Sequence, residues 1–85
     1  MDEKAQSLID YIRRDIMREP NADINEDTPL VSSGRIDSLA LVDILQQLQD
    51  VTRMRISAGK VGAKDMDTVR MMLTTAQRVG KPKQT

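Results

Sequence analysis

The long apolar run between residues 38 and 51 constrains the fold more than any other part of this sequence. Seven large aliphatic side chains occur there and, on a helix, they cover more than one face. Such a helix needs neighbours on several sides, and in a chain of 85 residues this predicts the centre of a small helical bundle. The seven residues are Leu39, Leu41, Val42, Ile44, Leu45, Leu48 and Val51.

An amphipathic helix is predicted before this run, from Glu3 to about Arg18. Its apolar residues recur at three- and four-residue spacing, and Pro20 ends it because proline disfavours helical geometry in the residue before it. Residues 19–37 then form a long connection that contains two prolines and several acidic residues. We expect this connection to be structured and anchored to the core by Ile24, Leu30, Val31 and Ile36.

A last helix is predicted after a loop at residues 53–64. Two glycines and the lack of a clear periodicity mark that loop, with a short turn near residues 61–66. The helix begins near Asp67 or Thr68, with Asp67 as a suitable N-cap, and Gly80 stops it. Its apolar stripe consists of Val69, Met72, Leu73, Ala76 and Val79.

The fold prediction is therefore all-α, a small bundle of three main helices with a short fourth helix allowed between the second and the last. Residues 1–80 are expected to form a single domain, and residues 81–85 a disordered basic tail. The N-terminus lacks the basic start and apolar run of a signal peptide, and no apolar stretch is long enough to span a bilayer. We accordingly expect a soluble, cytoplasmic protein.

The composition argues against an enzyme. The chain has no cysteine and no histidine, so the thiol nucleophile, the commonest general base and the commonest metal ligand are missing. An acidic run at residues 23–27 imitates the first ligands of a calcium loop. Thr28, however, stands where the tight turn needs glycine, and Gly34 where the bidentate glutamate belongs. We expect no catalytic residue and no metal site, and interpret the run as polar loop residues.

Charge is unevenly distributed along a chain whose formal net charge is zero. Residues 1–50 hold eleven acidic and five basic residues, whereas residues 51–85 hold two acidic and eight basic ones. The basic half could suggest a nucleic-acid-binding module, but Tyr11 is the only aromatic residue, so side chains that stack on bases are missing. We therefore expect no nucleic acid among the partners.

The dipeptide Asp37-Ser38 lies directly before the apolar run and has two interpretations. In the first, Asp37 is an ordinary N-cap that accepts backbone N–H groups of the first turn, and the protein is a helical adaptor without a prosthetic group. In the second, the free N–H groups and the positive end of the helix dipole favour a phosphodiester on the Ser38 hydroxyl. Because the chain has no histidine or cysteine to activate Ser38, a separate enzyme would have to modify it.

Four motifs stand out along the chain: Asp27-Thr28-Pro29-Leu30, Gly34-Arg35-Ile36-Asp37-Ser38-Leu39, Leu41-Val42-Asp43-Ile44-Leu45 and Asp67-Thr68-Val69. Together they resemble the acyl carrier protein family, and the resemblance covers nearly the whole chain. It implies that Ser38 carries 4′-phosphopantetheine, transferred from coenzyme A by a phosphopantetheinyl transferase that uses magnesium. The thiol of this arm would then carry an acyl or aminoacyl group as a thioester.

The resemblance also implies roles for the residues around Ser38. Asp37 matches the acid that positions the metal of the modifying enzyme and caps the helix. Six methionines either fill irregular gaps in the core or let it deform around an apolar guest. The expected partner-binding residues are Leu39, Ala40, Leu41 and Asp43, and an acyl-chain groove is expected along Val42, Leu48, Met66 and Met72, with Leu39 and Val42 at the base of the arm.

The helix that follows Ser38 departs from the acidic helix of the housekeeping fatty-acid carriers. Ala40 lies two residues after the serine, glutamines occupy the middle of the helix, and only Asp43 and Asp50 are acidic. Complementary charge selects partners, so we expect partners other than those of routine fatty-acid synthesis. The prediction is a monomeric carrier that presents its cargo to acyl- or aminoacyl-loading and acyl-transfer enzymes of a specialised lipid, polyketide or aminoacyl pathway.

Overall fold

Three helices form the framework of residues 3–82, the part of the chain that the computed structural model describes. Helix α1 spans Glu3–Tyr11 and continues as a π-helical segment at Ile12–Ile16. Helix α2 spans Leu41–Thr52 and follows directly on a 3-10 turn at Ser38–Ala40, and α3 spans Val69–Val79. The predicted bundle of three main helices is confirmed.

The short fourth helix takes the form of two 3-10 turns between α2 and α3. They span Ala58–Lys60 and Ala63–Met66, and the second falls within the stretch where the sequence predicts a turn. Short turns are expected here because the segment has two glycines and too few apolar residues to cover a longer helix.

The core lies where the apolar stripes of the helices meet. Burial of these stripes removes aliphatic surface from water and is the main source of stability in a bundle of this size. The connection before α2 contributes Ile24, Leu30 and Ile36, all at most 6% exposed, as the sequence predicts, and Val31 packs against the core half-buried. The helices contribute Leu8, Ile9, Ile44, Leu48, Val69, Met72 and Ala76, among others.

Helix α2 is buried on fewer sides than its sequence predicts. Ile44 and Leu48 are fully buried, but Leu39 in the preceding turn and Val42 in the first turn of α2 are 79% and 72% exposed. Helices α1 and α3 both pack on α2, and two neighbours cover only part of a helix circumference. Leu39 and Val42 therefore face solvent at the end of the helix nearest Ser38, while Leu41, Leu45 and Val51 are half-buried against the core.

The start of α3 differs from the sequence prediction by one residue. The Thr68 hydroxyl oxygen accepts a hydrogen bond from the backbone N–H of Met71 at 3.0 Å, so Thr68 is the N-cap. Asp67 is not the cap, because its carboxylate accepts backbone N–H groups of residues 30–32 instead. This assignment in the sequence prediction was wrong.

Two short strands join the ends of α2 and α3. Strand β1 (Met54–Arg55) pairs antiparallel with β2 (Lys81–Pro82), so that Arg55 lies opposite Lys81. The structure thus differs from the sequence prediction at Lys81 and Pro82, which were assigned to a disordered tail and are paired here. Residues 83–85 of that tail, and residues 1–2 of the predicted domain, lie outside the described residues. No helix within the described range is long and apolar enough to cross a membrane.

Candidate functional site

Asp37 determines where the second helical segment begins. Its backbone is extended, with φ −81° and ψ 147°, and its Oδ1 atom accepts a hydrogen bond from the backbone N–H of Leu39 at 2.9 Å. The backbone N–H of Ala40 donates to the Asp37 carbonyl oxygen at 3.0 Å. The predicted N-cap is confirmed, and it makes Ser38 the first residue of the helical turn.

Ser38 presents its hydroxyl to solvent at that first position. The residue is exposed, and its carbonyl oxygen accepts the N–H of Leu41, which continues the turn into α2. Within residues 3–82 no hydrogen bond engages the Ser38 hydroxyl, and the neighbouring Asp37 carboxylate already accepts the Leu39 N–H. The hydroxyl is therefore accessible to another protein but has no base beside it that could activate it.

The side chains next to Ser38 form an exposed face of mixed character. Leu39 and Val42 lie three residues apart, one helical turn, and are the most exposed large apolar residues described. Asp43 is exposed as well, whereas Ala40 and Leu41 are half-buried. The four residues predicted to bind partners thus include two exposed side chains, Leu39 and Asp43, and two that are partly covered.

Asp43 also lies close enough to helix α1 to influence Tyr11. Burial raises the pKa of the Tyr11 hydroxyl, and the negative charges of Asp43 and Asp15 raise it further. The tyrosine therefore remains neutral over the physiological range.

An apolar groove, called here the α2 groove, opens beside the first turns of α2. It has a volume of about 190 Å³ and lies between α2 and the two 3-10 turns of residues 58–66. A cavity of this size matches a guest of roughly benzene size or slightly larger, since an engineered cavity of about 150 Å³ binds benzene. Its lining consists of Leu41, Val42, Leu45, Ala58, Val61, Gly62, Ala63 and Met66.

Only two of the four residues predicted to line an acyl-chain groove line the α2 groove. Val42 and Met66 line the α2 groove, whereas Leu48 and Met72 are fully buried in the core and do not line it. Leu45 and Val61 are groove residues that the sequence reasoning missed. The two alanines and two glycines of the 58–63 segment are the signal that could have indicated a close approach to α2.

The loop that leads to Ser38 is tied to the start of α3 by the Asp67 carboxylate. Its Oδ1 atom accepts the backbone N–H groups of Leu30, Val31 and Ser32, at 3.2, 2.8 and 2.8 Å. The Ser32 hydroxyl donates to Oδ2 at 2.8 Å, and the Leu30 N–H also donates to the Asp67 carbonyl oxygen at 2.8 Å. This set of contacts is called the Asp67 clamp below.

The clamp also lowers the pKa of the Asp67 carboxyl. The main causes are the hydrogen bonds from the Ser32 backbone N–H and hydroxyl, which favour the charged form, while partial burial opposes them. The contacts join positions 35 to 37 residues apart, so no local sequence pattern could have revealed them.

A second tie between the same loop and α3 involves Arg70. Its guanidinium contacts Asp27 at 2.6 and 3.1 Å and Glu26 at 3.2 Å, and its backbone N–H donates to the Glu26 carbonyl oxygen. The hydrogen bond and charge of Arg70 lower the pKa of Asp27. The acidic run therefore pairs with an arginine, and among residues 3–82 no group of three or more ligating side chains could hold a metal ion.

A family model described as "Phosphopantetheine attachment site" matches residues 6–75, which is most of the chain. No curated protein and no solved structure matches the chain significantly. The matched range includes most of α1, the loop held by the Asp67 clamp, Ser38, α2 and the first part of α3.

Proposed function

We propose a specific role for this chain, which belongs to the family of phosphopantetheine attachment domains. Proteins of this family are carriers without catalytic activity of their own, and their cofactor is a covalently bound 4′-phosphopantetheine. The match therefore favours the carrier interpretation over an adaptor that lacks a prosthetic group. The proposal is that Ser38 bears the arm and that the carrier serves a specialised acyl, polyketide or aminoacyl pathway.

The environment of the Ser38 hydroxyl is the observation that carries the attachment proposal. The hydroxyl is exposed, makes no hydrogen bond within the described residues and lies at the start of a helix. A phosphodiester fits there because the helix start favours negative charge. The bound group supplies a terminal thiol for thioester formation, which this cysteine-free chain cannot supply itself.

The α2 groove supports a place for the cargo close to the point of attachment. Val42 belongs to both the exposed face and the groove lining, so an apolar group on an arm at Ser38 can leave water by entering between α2 and residues 58–66. Met66 closes the groove on the core side. Leu48 and Met72 lie in the core, where their flexible or branched side chains can move if a longer chain penetrates further.

The charge of α2 supports partners other than those of routine fatty-acid synthesis. Asp43 is an exposed acid on this helix, and Gln46 occupies the exposed position one turn further along. Gln49 is used within the fold, since its Oε1 atom accepts the Ile56 N–H at 2.9 Å. A face of Leu39, Val42 and Asp43 offers apolar contact with little charge, which suits partners with apolar rather than strongly basic docking sites.

Intact-protein mass spectrometry tests the attachment proposal. The protein is incubated with coenzyme A, Mg²⁺ and a broad-specificity phosphopantetheinyl transferase, beside the variants Ser38→Ala and Ser57→Ala. Ser57 is a matched control, because it is an exposed serine directly before another 3-10 turn. We expect one phosphopantetheine on the protein without substitutions and on Ser57→Ala, and none on Ser38→Ala. An adduct that persists in Ser38→Ala, or no adduct on any protein, would overturn the proposal.

The pathway is tested by the cargo itself. Thioesters captured on the carrier in its source cells are released and weighed. We expect a short acyl, a polyketide or an aminoacyl group. A distribution of long, saturated even-chain acyl groups would contradict the specialised pathway while leaving the attachment proposal intact.

A further inference from the structure

The Asp67 clamp concentrates on one carboxylate several hydrogen bonds from the loop that precedes Ser38 and α2. Three consecutive backbone N–H groups converge on Oδ1, and a hydroxyl donates to Oδ2. Hydrogen bonds to a charged acceptor are stronger than those between neutral groups. Thr68 already caps α3, so the start of that helix does not require the Asp67 side chain.

A short chain of contacts leads from the clamp to Ser38. Leu30 donates its N–H to Asp67 and accepts the N–H of Ile36 on its carbonyl oxygen at 3.1 Å. Between them the chain turns at Gly34, whose φ of +79° lies in the left-handed region that favours glycine. Ile36 is buried and directly precedes the Asp37 cap. The backbone position of Leu30 thus determines the position of the residue two before Ser38.

We propose that Asp67 is a positioning residue for the modification of Ser38: by holding residues 30–32 it keeps the approach to α2 in the conformation in which Ser38 is presented to the transferase. The inference rests on the proposed function, because it takes Ser38 as the attachment residue. The Asp67 carboxylate itself makes its hydrogen bonds to residues 30–32 and not to Ser38. It acts through Leu30, Ile36 and Asp37.

The kinetic signature follows from the fraction of molecules in the presenting conformation. Without the Asp67 carboxylate, the N–H groups of Val31 and Ser32 lose their acceptor, and Leu30 keeps only the Asp67 carbonyl oxygen. The loop then samples other conformations, so fewer molecules present Ser38 at any time. The apparent affinity of the transferase for the carrier falls by that fraction, whereas turnover at saturating carrier is unchanged. For Asp67→Ala we expect a rise in KM for the carrier of about tenfold, with kcat and KM for coenzyme A unchanged.

Graded variants separate positioning from simple loss of folding. Asp67→Asn keeps an oxygen for the three backbone N–H groups but loses the charge, and Ser32→Ala removes only the hydroxyl contact. Their KM values for the carrier should form a graded series between the value for the protein without substitutions and the value for Asp67→Ala. Asp65→Ala is the matched control, since the Asp65 carboxylate also accepts a backbone N–H, that of Gly62 at 2.9 Å, but makes its ion pair with Arg78 rather than with the loop at residues 29–36.

The experiment measures steady-state transfer from coenzyme A to each folded variant, together with amide hydrogen exchange of residues 30–32. In the Asp67 variants we expect faster exchange at these amides and a raised KM for the carrier. In Asp65→Ala we expect the same KM as for the protein without substitutions. If Asp67→Ala does not fold, Asp67→Asn and Ser32→Ala decide the matter, and unmodified KM values in both would overturn the inference. A protein that is not modified even without mutation would instead remove the proposed function on which the inference rests.

Discussion

Two leucine-to-alanine substitutions on either side of the Asp37 cap should differ sharply in their effect on stability. Leu30 is fully buried in the loop before the cap, whereas Leu39 is 79% exposed just after it. Truncating a buried leucine removes its transfer free energy and leaves a cavity, and together these cost about 2 to 5 kcal/mol. At the lower limit of about 2 kcal/mol, Leu30→Ala should lower the Tm of a chain of this size by roughly 8 to 16 °C.

Leu39→Ala removes a side chain that contacts mainly water. A surface substitution of this kind changes the free energy of unfolding by no more than about 0.5 kcal/mol. Thermal unfolding followed by circular dichroism measures both variants against the unmodified protein, and transfer of phosphopantetheine at a temperature where all are folded measures function. We expect Leu39→Ala to keep its Tm and to lose transferase affinity, because an exposed apolar anchor contributes to docking.

The reasoning about this pair would be refuted by either of two results. If Leu39→Ala lowers the Tm as much as Leu30→Ala does, the start of α2 is buried rather than exposed. If Leu30→Ala leaves the Tm unchanged, the loop is not anchored in the core, and the route from the Asp67 clamp to Ser38 loses its support.

Three further predictions concern particular contacts. Thr68→Ala should destabilise the protein by about 1 kcal/mol in chemical unfolding, because it removes the N-cap of α3, whereas Thr68→Ser should keep most of the stability. Gly80→Ala should lower the Tm, since a Cβ there would collide with the carbonyl oxygen of Ala76; an unchanged Tm would mean that the chain after α3 does not pass as close to Ala76 as described. The pKa of Asp67 is lowered by folding, so its contribution is complete above the ordinary carboxyl pKa of 3.8 and is lost as the pH falls through the lower folded value. The stability difference between the unmodified protein and Asp67→Asn, measured by urea unfolding at several pH values, should therefore shrink below about pH 3.8, and a constant difference would contradict the clamp.

Local patterns in the sequence were sufficient to predict the helices and the Asp37 cap. Helical periodicity depends on side chains three and four residues apart, and an N-cap depends on a backbone N–H two residues away, so both are recorded in neighbouring residues. The anchoring of the long connection by Leu30 and Ile36 was also predictable, because few apolar residues were available there.

Features that depend on distant parts of the chain were not predictable in this way. Asp67 was expected to cap α3, but Thr68 satisfied that role and left the Asp67 carboxylate to residues 30–32. The pairing of Lys81 with Arg55 and the exposure of Leu39 likewise depend on how the helices pack, which periodicity does not specify. The groove residues were found only in part for the same reason.

The central claim is that Ser38 bears the phosphopantetheine arm, and peptide mapping of the modified protein tests it most directly. Trypsin cleavage after Arg35 and Arg53 gives a peptide of residues 36–53 in which Ser38 is the only serine, while Ser32 and Ser33 fall in the peptide of residues 19–35. Tandem mass spectrometry of the digest should locate the adduct in residues 36–53, with fragment ions that place it on Ser38. An adduct in residues 19–35, or on Thr52 of the peptide of residues 36–53, would contradict the claim.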